Sequence, residues 1–508
     1  MSTTNDSRTS HAHREPTPAA ATRLVGWQGV VSAAVLALLA FLCASFGLFA
    51  MAAEWIAPLL IGALAALASR ARWMEAAAGT GVGLGLGLAL QQPWFMSSSE
   101  SPLLSIAVFV LLGVSAAAGV ALWQGMSGGT RRAEWIAAAV LLAVIVGGMW
   151  ITTATVDSGA LSPDATSVNQ WLSTRPELGN TPADRDYYLR LFYDLHDGQP
   201  YYDAYVRLYK SDPMGGFRLP NGVPGYRLPT IFYLWLLLPP DGAALPWAFL
   251  VFATLAVGSA FSIGAQLSRP GVAVAGALAV AVAYTFIATS TNVLFVDGWA
   301  MAIALAGIAL FTASVRKDSR RLLWGAAAVL FAAAAFREIL IYPTLLALAS
   351  ALMLPRHRRW REAWPWLVGL GAFVLVYIAH ILAIAGRVDP QGTAGFWTRG
   401  GVGHLAATVH FLEQFFGGKP WLLPVLVLIG LAGALGLWRS QMRLAAFLSA
   451  SIAAPLLSFL VLGNGGVELA TGAATGYWGV LVVPIALALV GVGTNRMLVL
   501  LGVEDSTA

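Results

Sequence analysis

The sequence predicts an all-α, polytopic membrane protein of about 14 transmembrane helices, with a long first external loop that contains amphipathic juxtamembrane helices. Three observations point there. Of the 508 residues, 58% are hydrophobic and only 11% charged, against roughly 25% charged in a soluble domain. Apolar runs recur along the chain, most of about 17–25 residues, long enough to cross a hydrocarbon layer of roughly 30 Å as a helix. One long polar interruption, 154–227, is dense in Asp and Tyr and contains DRDYYLRLFYDLHDGQPYYDAY. Helices rather than a barrel follow, because lipid cannot satisfy exposed backbone groups and the runs lack barrel-strand alternation.

The net charge of +5 is small and scattered, so no nucleic-acid partner is expected. Cys43 is the only cysteine, which excludes an intrachain disulfide and a cysteine-based metal cluster.

Residues 1–23 are polar, rich in Ser, Thr and Pro, and read as a disordered cytoplasmic tail rather than a cleaved signal. Apolar runs near 26–49, 55–69, 76–92 and 102–123 form an N-terminal four-helix extension within 24–133. Runs near 134–152, 246–266, 271–290, 298–315, 322–336 and 339–354 belong to a module spanning 134–354, which includes the loop 154–227. The remaining runs, near 364–385, 421–438, 444–462 and 477–494, make a C-terminal membrane part within 355–494, with a second external loop at 386–420. Residues 495–508 are a cytoplasmic tail.

The apolar stretch 228–238 decides the orientation of everything after it. At 11 residues it would span only about 16 Å as a helix, too little to cross. With 228–238 held at the interface, RKDSRR (316–321), RHRRWRE (356–362), Arg439 and Arg443 all fall on one side. The external turns 50–55, 93–101, 291–297 and 463–476 then hold no basic residue. The positive-inside bias places the basic side and both termini in the cytoplasm, and puts 154–227 outside.

The stretch 322–354 is apolar except for Arg337 and Glu338, and basic clusters flank both ends. One helix of that length would be about 50 Å long and would strand one cluster outside. Two short antiparallel passes are therefore expected, with Arg337 and Glu338 at a turn recessed below the outer surface. An arginine there marks a functional or paired site.

Several side chains carry both a chemical and a structural reading. Asp184 and Asp186 form a carboxylate pair able to accept a hydroxyl proton or bind a metal. The same segment, Thr181-Pro182-Ala183-Asp184, reads as a capping box with Pro at the first helical position. Tyr188, Leu191, Phe192 and Leu195 follow at helical spacing, as on a short helix lying on the membrane. Asp297 either caps the helix it opens or joins the first acidic pair in a site. Arg337 either neutralises a phosphate or pairs with Glu338 or with an Asp of another external turn. The GTGVGLGLG run (79–87) lies within an apolar span and reads as a close-packing surface, not a phosphate loop. His404 and His410 lack supporting ligands, so no metal site is expected there. His196 reads as a solvated loop residue. AEWIA occurs at 53–57 and 133–137, too short an echo to define an internal repeat.

Asp184 with Tyr188 four residues on, then Gly198, Tyr201 and Tyr202, resembles the first-loop pattern of the GT-C superfamily of integral-membrane glycosyltransferases. Tyr226-Arg227-Leu228-Pro229 is similar to the family's Tyr/Pro segment closing that loop. Asp297 matches the acidic residue of its second external loop, and Arg337 the basic residue near its lipid phosphate. The resemblance covers about 134–354, and four expected spans precede the one that would be the family's first. It implies a polyprenyl-phosphate-linked sugar donor and a glycan, lipid or protein acceptor carrying the accepting hydroxyl. Asp184 or Asp186 would be the catalytic base of an inverting transfer. Asp297, Arg337, Tyr188, Tyr202, Tyr226 and Arg227 would bind substrate. The helix from 182 and the segment 228–238 would wall a cavity open to membrane lipid. No resident cofactor is implied, although a divalent cation beside Asp297 fits the pattern. A plasma (inner) membrane location with the site on the external or periplasmic side follows from the same likeness. A transporter or flippase of lipid-linked glycans is the alternative. It calls for charges buried mid-membrane and inverted repeats, and the sequence displays neither. A polymerase or ligase of lipid-linked sugars is a further enzymatic variant.

Overall fold

The computed structural model describes residues 131–154, 184–210, 226–288, 291–387, 422–461 and 476–500. The expected tail, the four N-terminal spans, Cys43, the 79–87 glycine run, His404 and His410 lie outside them. Among the described residues the chain is helical, without strand. Five of the described helices are long and apolar enough to cross a membrane.

The helices are α1 (Arg131–Ala154), α2 (Asp184–His196), α3 (Tyr201–Lys210), α4 (Thr230–Trp235), α5 (Leu245–Leu267), α6 (Pro270–Ala288) and α7 (Val296–Lys317). They continue as α8 (Arg320–Phe336), α9 (Tyr342–Leu352), α10 (Arg356–Ile384), α11 (Leu422–Gly436), α12 (Met442–Ser458), α13 (Val483–Ala488) and α14 (Val490–Leu500). Every apolar run expected within the described residues coincides with helix. Boundaries differ where local chemistry intervenes. α10 starts at Arg356, ahead of the apolar run, because Pro355 sits at its N-cap and Arg358 pairs with Glu362 one turn on, at 3.1 Å. The run 477–494 is broken into a 3₁₀ turn and two short helices. Pro484, which brings no N–H, lies at the start of the first of these helices.

Polar contacts sort the helix ends. At one end Arg269 meets Glu134 (3.4 Å), Arg358 meets Asp318 (2.7 Å), Arg443 meets Glu362 (2.5 Å), and Arg496 donates to Ser440 (3.5 Å). At the other, Trp150 packs on Trp247 with ring centroids 6.0 Å apart, and Tyr342 donates to the Leu481 carbonyl at 3.1 Å. α1 thus runs away from the basic end and α5 returns to it, so the segment between them starts and finishes at the end opposite the arginine-rich turns. α4, at six residues, measures only about 9 Å. Pro229 precedes it and Pro239-Pro240 follow it. Asp318, in a left-handed conformation that Asp tolerates (φ 46°), turns the chain between α7 and α8, and Ser319 caps α8. Because Asp318 also pairs with Arg358, α8 leaves the basic end and α9 comes back to it. The out-and-back path expected for 322–354 is therefore present, with the break at Arg337.

Two expectations are corrected. The apolar face of α2 lies against protein: Tyr188, Leu191, Phe192 and Leu195 are buried. The Tyr188 ring sits 5.5 Å from Phe232, and Phe192 sits 6.4 Å from Trp235. α4 supplies an apolar face of its own, and matching the two faces buries both, each large side chain contributing about 1.5–3 kcal/mol. His196 is not a solvated loop residue. It ends α2, half-buried, with Nδ1 near the Phe192 carbonyl (2.9 Å) and Nε2 near the Leu238 carbonyl (3.0 Å).

Helix α6 lies backbone to backbone against α13. A Cβ on Gly276 would stand 2.6 Å from the Ala488 carbonyl oxygen. Gly276→Val is expected to destabilise the protein by about 1–3 kcal/mol through overpacking. A lowered midpoint of thermal unfolding in detergent would register it. Gly371→Ala, on an open face of α10, should leave that midpoint unchanged or higher.

Candidate functional site

The end opposite the basic turns gathers charge from three separate stretches. Arg337 stands where α8 stops, in an extended conformation (φ −146°, ψ 105°) that carries its side chain out of the helical register. Its Nε donates to Asp297 Oδ1 at 2.6 Å, and its Nη1 donates to Glu338 Oε1 at 3.1 Å. Both Arg337 and Asp297 side chains are 2% exposed. Arg227 comes from the segment before α4; its Nη1 lies 3.5 Å from the same Glu338 oxygen, and its Nε donates to the Tyr188 hydroxyl at 3.2 Å. Two guanidinium groups thus face two carboxylates. Both cationic contacts fall on Glu338 Oε1. Oε2 is buried and has no hydrogen-bond partner among the described residues. Glu338, at 20% exposed, is the most accessible of the four.

Asp297 does not cap its helix. Phe295 occupies that position without a side-chain cap, and Asp297 falls in the first turn of α7. There its negative charge suits the helix N-terminus while its carboxylate is committed to Arg337. Of the two readings for Arg337, pairing is the one the geometry displays, with both partners foreseen: Glu338, and an aspartate of another turn.

A second layer of hydrogen bonds grips the backbone of 226–227. Tyr201 donates to the Arg227 carbonyl at 2.8 Å, and Tyr226 donates to the Arg387 carbonyl at 2.8 Å. His380 Nε2 lies 3.2 Å from the Tyr226 carbonyl, and Nδ1 lies 2.9 Å from the Tyr202 hydroxyl. A carbonyl only accepts, so Nε2 carries the proton; in the neutral ring Nδ1 then accepts from Tyr202. Burial pushes the Tyr202 hydroxyl up to about 12. Burial, then the neighbouring tyrosines, also raises Tyr201. Both phenols therefore remain donors at neutral pH. Arg387 closes the ring through Asp203 at 2.9 Å. Gly198 makes the tight turn that sets α3 beside α2, with φ 82°, a conformation glycine takes without strain.

Of the residues singled out from sequence, Tyr188, Arg227, Asp297 and Arg337 meet in one cluster, and Tyr202 and Tyr226 belong to the layer that holds it. The backbone of Asp184 and Asp186 opens α2, one turn before Tyr188; their side chains lie outside the described set. His380, Glu338, Asp203 and Arg387 join the network without having been named as site residues. A signal existed for His380: it is the one residue within the apolar run 364–385 whose side chain can carry charge near neutral pH, and such residues mark function or pairing. Among the described residues, no three His, Cys, Asp or Glu side chains group in a way that could hold a metal ion.

No protein-family model matches the chain, and no curated protein matches it.

The Arg337–Asp297 pair is buried, so each partner's charge is compensated only by the other side of the cluster. Arg337→Gln or Asp297→Asn alone should destabilise by about 3–5 kcal/mol, because an uncompensated charge stays buried. Arg337→Met combined with Asp297→Asn should recover more than half of that loss, read as the transition midpoint in a denaturant titration of detergent-solubilised protein.

Proposed function

We propose that this chain is an inverting membrane glycosyltransferase. It moves a sugar from a polyprenyl-phosphate donor to a hydroxyl of a cell-envelope glycan, lipid or protein acceptor, at the external face of the plasma (inner) membrane. The observation that carries the reading is the convergence of Tyr188 with Arg227, 39 residues on, and of Asp297 with Arg337, 40 residues on, in one cluster at the end opposite the arginine-rich turns. Four residues first noticed for their likeness to glycosyltransferase motifs are thereby neighbours. The orientation rests on the positive-inside bias, which assigns Arg316, Lys317, Arg356 and Arg439 to the cytoplasmic side.

In this mechanism Asp184 or Asp186 accepts the proton of the acceptor hydroxyl. The freed oxygen attacks the anomeric carbon from the face opposite the phosphate. The bond from that carbon to the phosphate oxygen breaks, and the lipid phosphate leaves with the electron pair. A positioned carboxylate base contributes about 10²–10⁴-fold. Arg337 is held by two carboxylates and serves as the cluster's anchor. Arg227, whose contact with Glu338 is longer at 3.5 Å, is the guanidinium that turns to the developing phosphate charge, an interaction strengthened by the low local dielectric. Glu338 Oε2, without a hydrogen-bond partner among the described residues, is the acceptor left for a substrate hydroxyl. Tyr233 on α4 and Leu236 and Leu237 just past its end are exposed, a surface suited to the polyprenyl chain.

The test is a transfer assay on purified full-length protein with radiolabelled polyprenyl-phosphate mannose, glucose or arabinofuranose, scoring release of the lipid phosphate. Asp184→Asn is expected to lower turnover by about 100-fold or more at unchanged expression. Near-normal activity in both Asp184→Asn and Asp186→Asn would remove the base from the scheme. Arg227→Gln should lower kcat at least as much as it raises the KM for donor, because the contact strengthens as the phosphate charge develops.

A further inference from the structure

We infer that His380 is a positioning residue for Arg227: it fixes the 226–227 backbone from α10 so that the guanidinium is presented at the Glu338 cluster. The inference deepens the glycosyl-transfer reading, on which its ligand half rests.

His380 is 2% exposed and interrupts an apolar helix, a placement that is costly unless its ring nitrogens are matched. Both are. Nε2–H holds the Tyr226 carbonyl, and Nδ1 takes the Tyr202 hydroxyl. The next carbonyl along, that of Arg227, is held by Tyr201. Two consecutive carbonyls fixed from two different helices leave the peptide between them no rotation, so the Arg227 side chain starts from a set Cα position. Without that constraint a long side chain spreads over many rotamers, and its 3.5 Å approach to Glu338 would not be maintained. The charged groups nearest this network are Glu338, on the turn after α8, and Arg387, three residues past the end of α10 and paired with Asp203 of α3. Neither bonds the imidazole directly in the contacts described above, so the ring acts through the backbone it holds rather than on a ligand.

Two substitutions separate this role from simple packing. His380→Ala removes both ring contacts. His380→Gln keeps an N–H that can reach the Tyr226 carbonyl. The measurements are hydrogen exchange of the 226–228 amides in full-length protein in lipid nanodiscs, and binding of farnesyl phosphate to the same preparation. His380→Ala should speed exchange at 226–228 while the 296–317 helix stays protected. It should also weaken farnesyl phosphate about tenfold, as Arg227→Gln does, with the double variant no weaker than Arg227→Gln alone. His380→Gln should stay within about threefold of the parent on both counts. Unchanged exchange at 226–228 in His380→Ala overturns the proposal, and so do losses that multiply in the double variant. Should the parent protein bind no farnesyl phosphate, the donor reading of the site falls, and the clamp is then decided by exchange alone. Faster exchange throughout the chain in His380→Ala, with parent-like behaviour in His380→Gln, supports the clamp; the same collapse in both overturns it.

Discussion

A guanidinium cannot be left alone among apolar helices, and much of the architecture at one end of this protein follows from accommodating Arg337. Continuing α8 past Phe336 would hold the side chain against an apolar surface, where desolvating the charge costs several kcal/mol. The chain instead leaves helical geometry at Arg337. The residue's Nε then reaches a carboxylate 40 positions away and its Nη1 reaches the carboxylate next door. The break costs a few backbone hydrogen bonds and yields a compensated ion pair. It also fixes three other things at once: the first turn of α7, which holds Asp297; the turn that carries Glu338; and the return of α9 to the basic end.

The rest of the cluster is arranged around that pair. Glu338 receives a second guanidinium from Arg227, and Arg227 leans on the Tyr188 hydroxyl. With two positive and two negative side chains the cluster is electrically balanced, which lets it persist where few charges could. Balance is not symmetry, however. Arg337 is bound at 2.6 and 3.1 Å and is almost wholly buried, whereas Arg227 reaches its carboxylate at 3.5 Å. The tighter pair resists exchange with any incoming anion, because breaking it strands a buried aspartate. The looser pair can give up its cation at lower cost.

Among the described residues most of the helix layout was legible in the amino-acid sequence, because apolar run length and basic clusters are local properties. The break at Arg337-Glu338 was readable for the same reason: only two charged residues interrupt a 33-residue apolar stretch with arginines at both ends. The capture of α2 by α4 was not, since an amphipathic face looks the same whether lipid or protein covers it. Tyr188 and Phe232 had to be brought together before the choice was visible. The polar network was legible in its members and not in its wiring. Tyr202 and His380 are 178 residues apart, and Arg227 and Glu338 are 111 apart; no spacing rule reaches so far. Its place at the head of a helix left Asp297 readable as a cap or as a site residue, and its partner, Arg337, follows a different helix. In a low-dielectric setting a full positive charge outcompetes backbone N–H groups for a carboxylate.

The tyrosines explain how so small a loop module can be held against so apolar a body. Tyr201 and Tyr226 bury their rings, Tyr202 half-buries its own, and each spends the hydroxyl on a carbonyl or imidazole of a different element. Such a side chain is held through its apolar body and oriented through its polar tip. Replacing the trio by Phe would keep most of the buried area but would lose the orientation of the 226–227 backbone, and with it the approach of Arg227. Burial raises the affinity of the Tyr201 and Tyr202 hydroxyls for their protons, which keeps both donors across the physiological range. Packing and hydrogen bonding therefore act on the same side chains, and the geometry of the charged cluster is inherited from aromatic residues that themselves carry no charge.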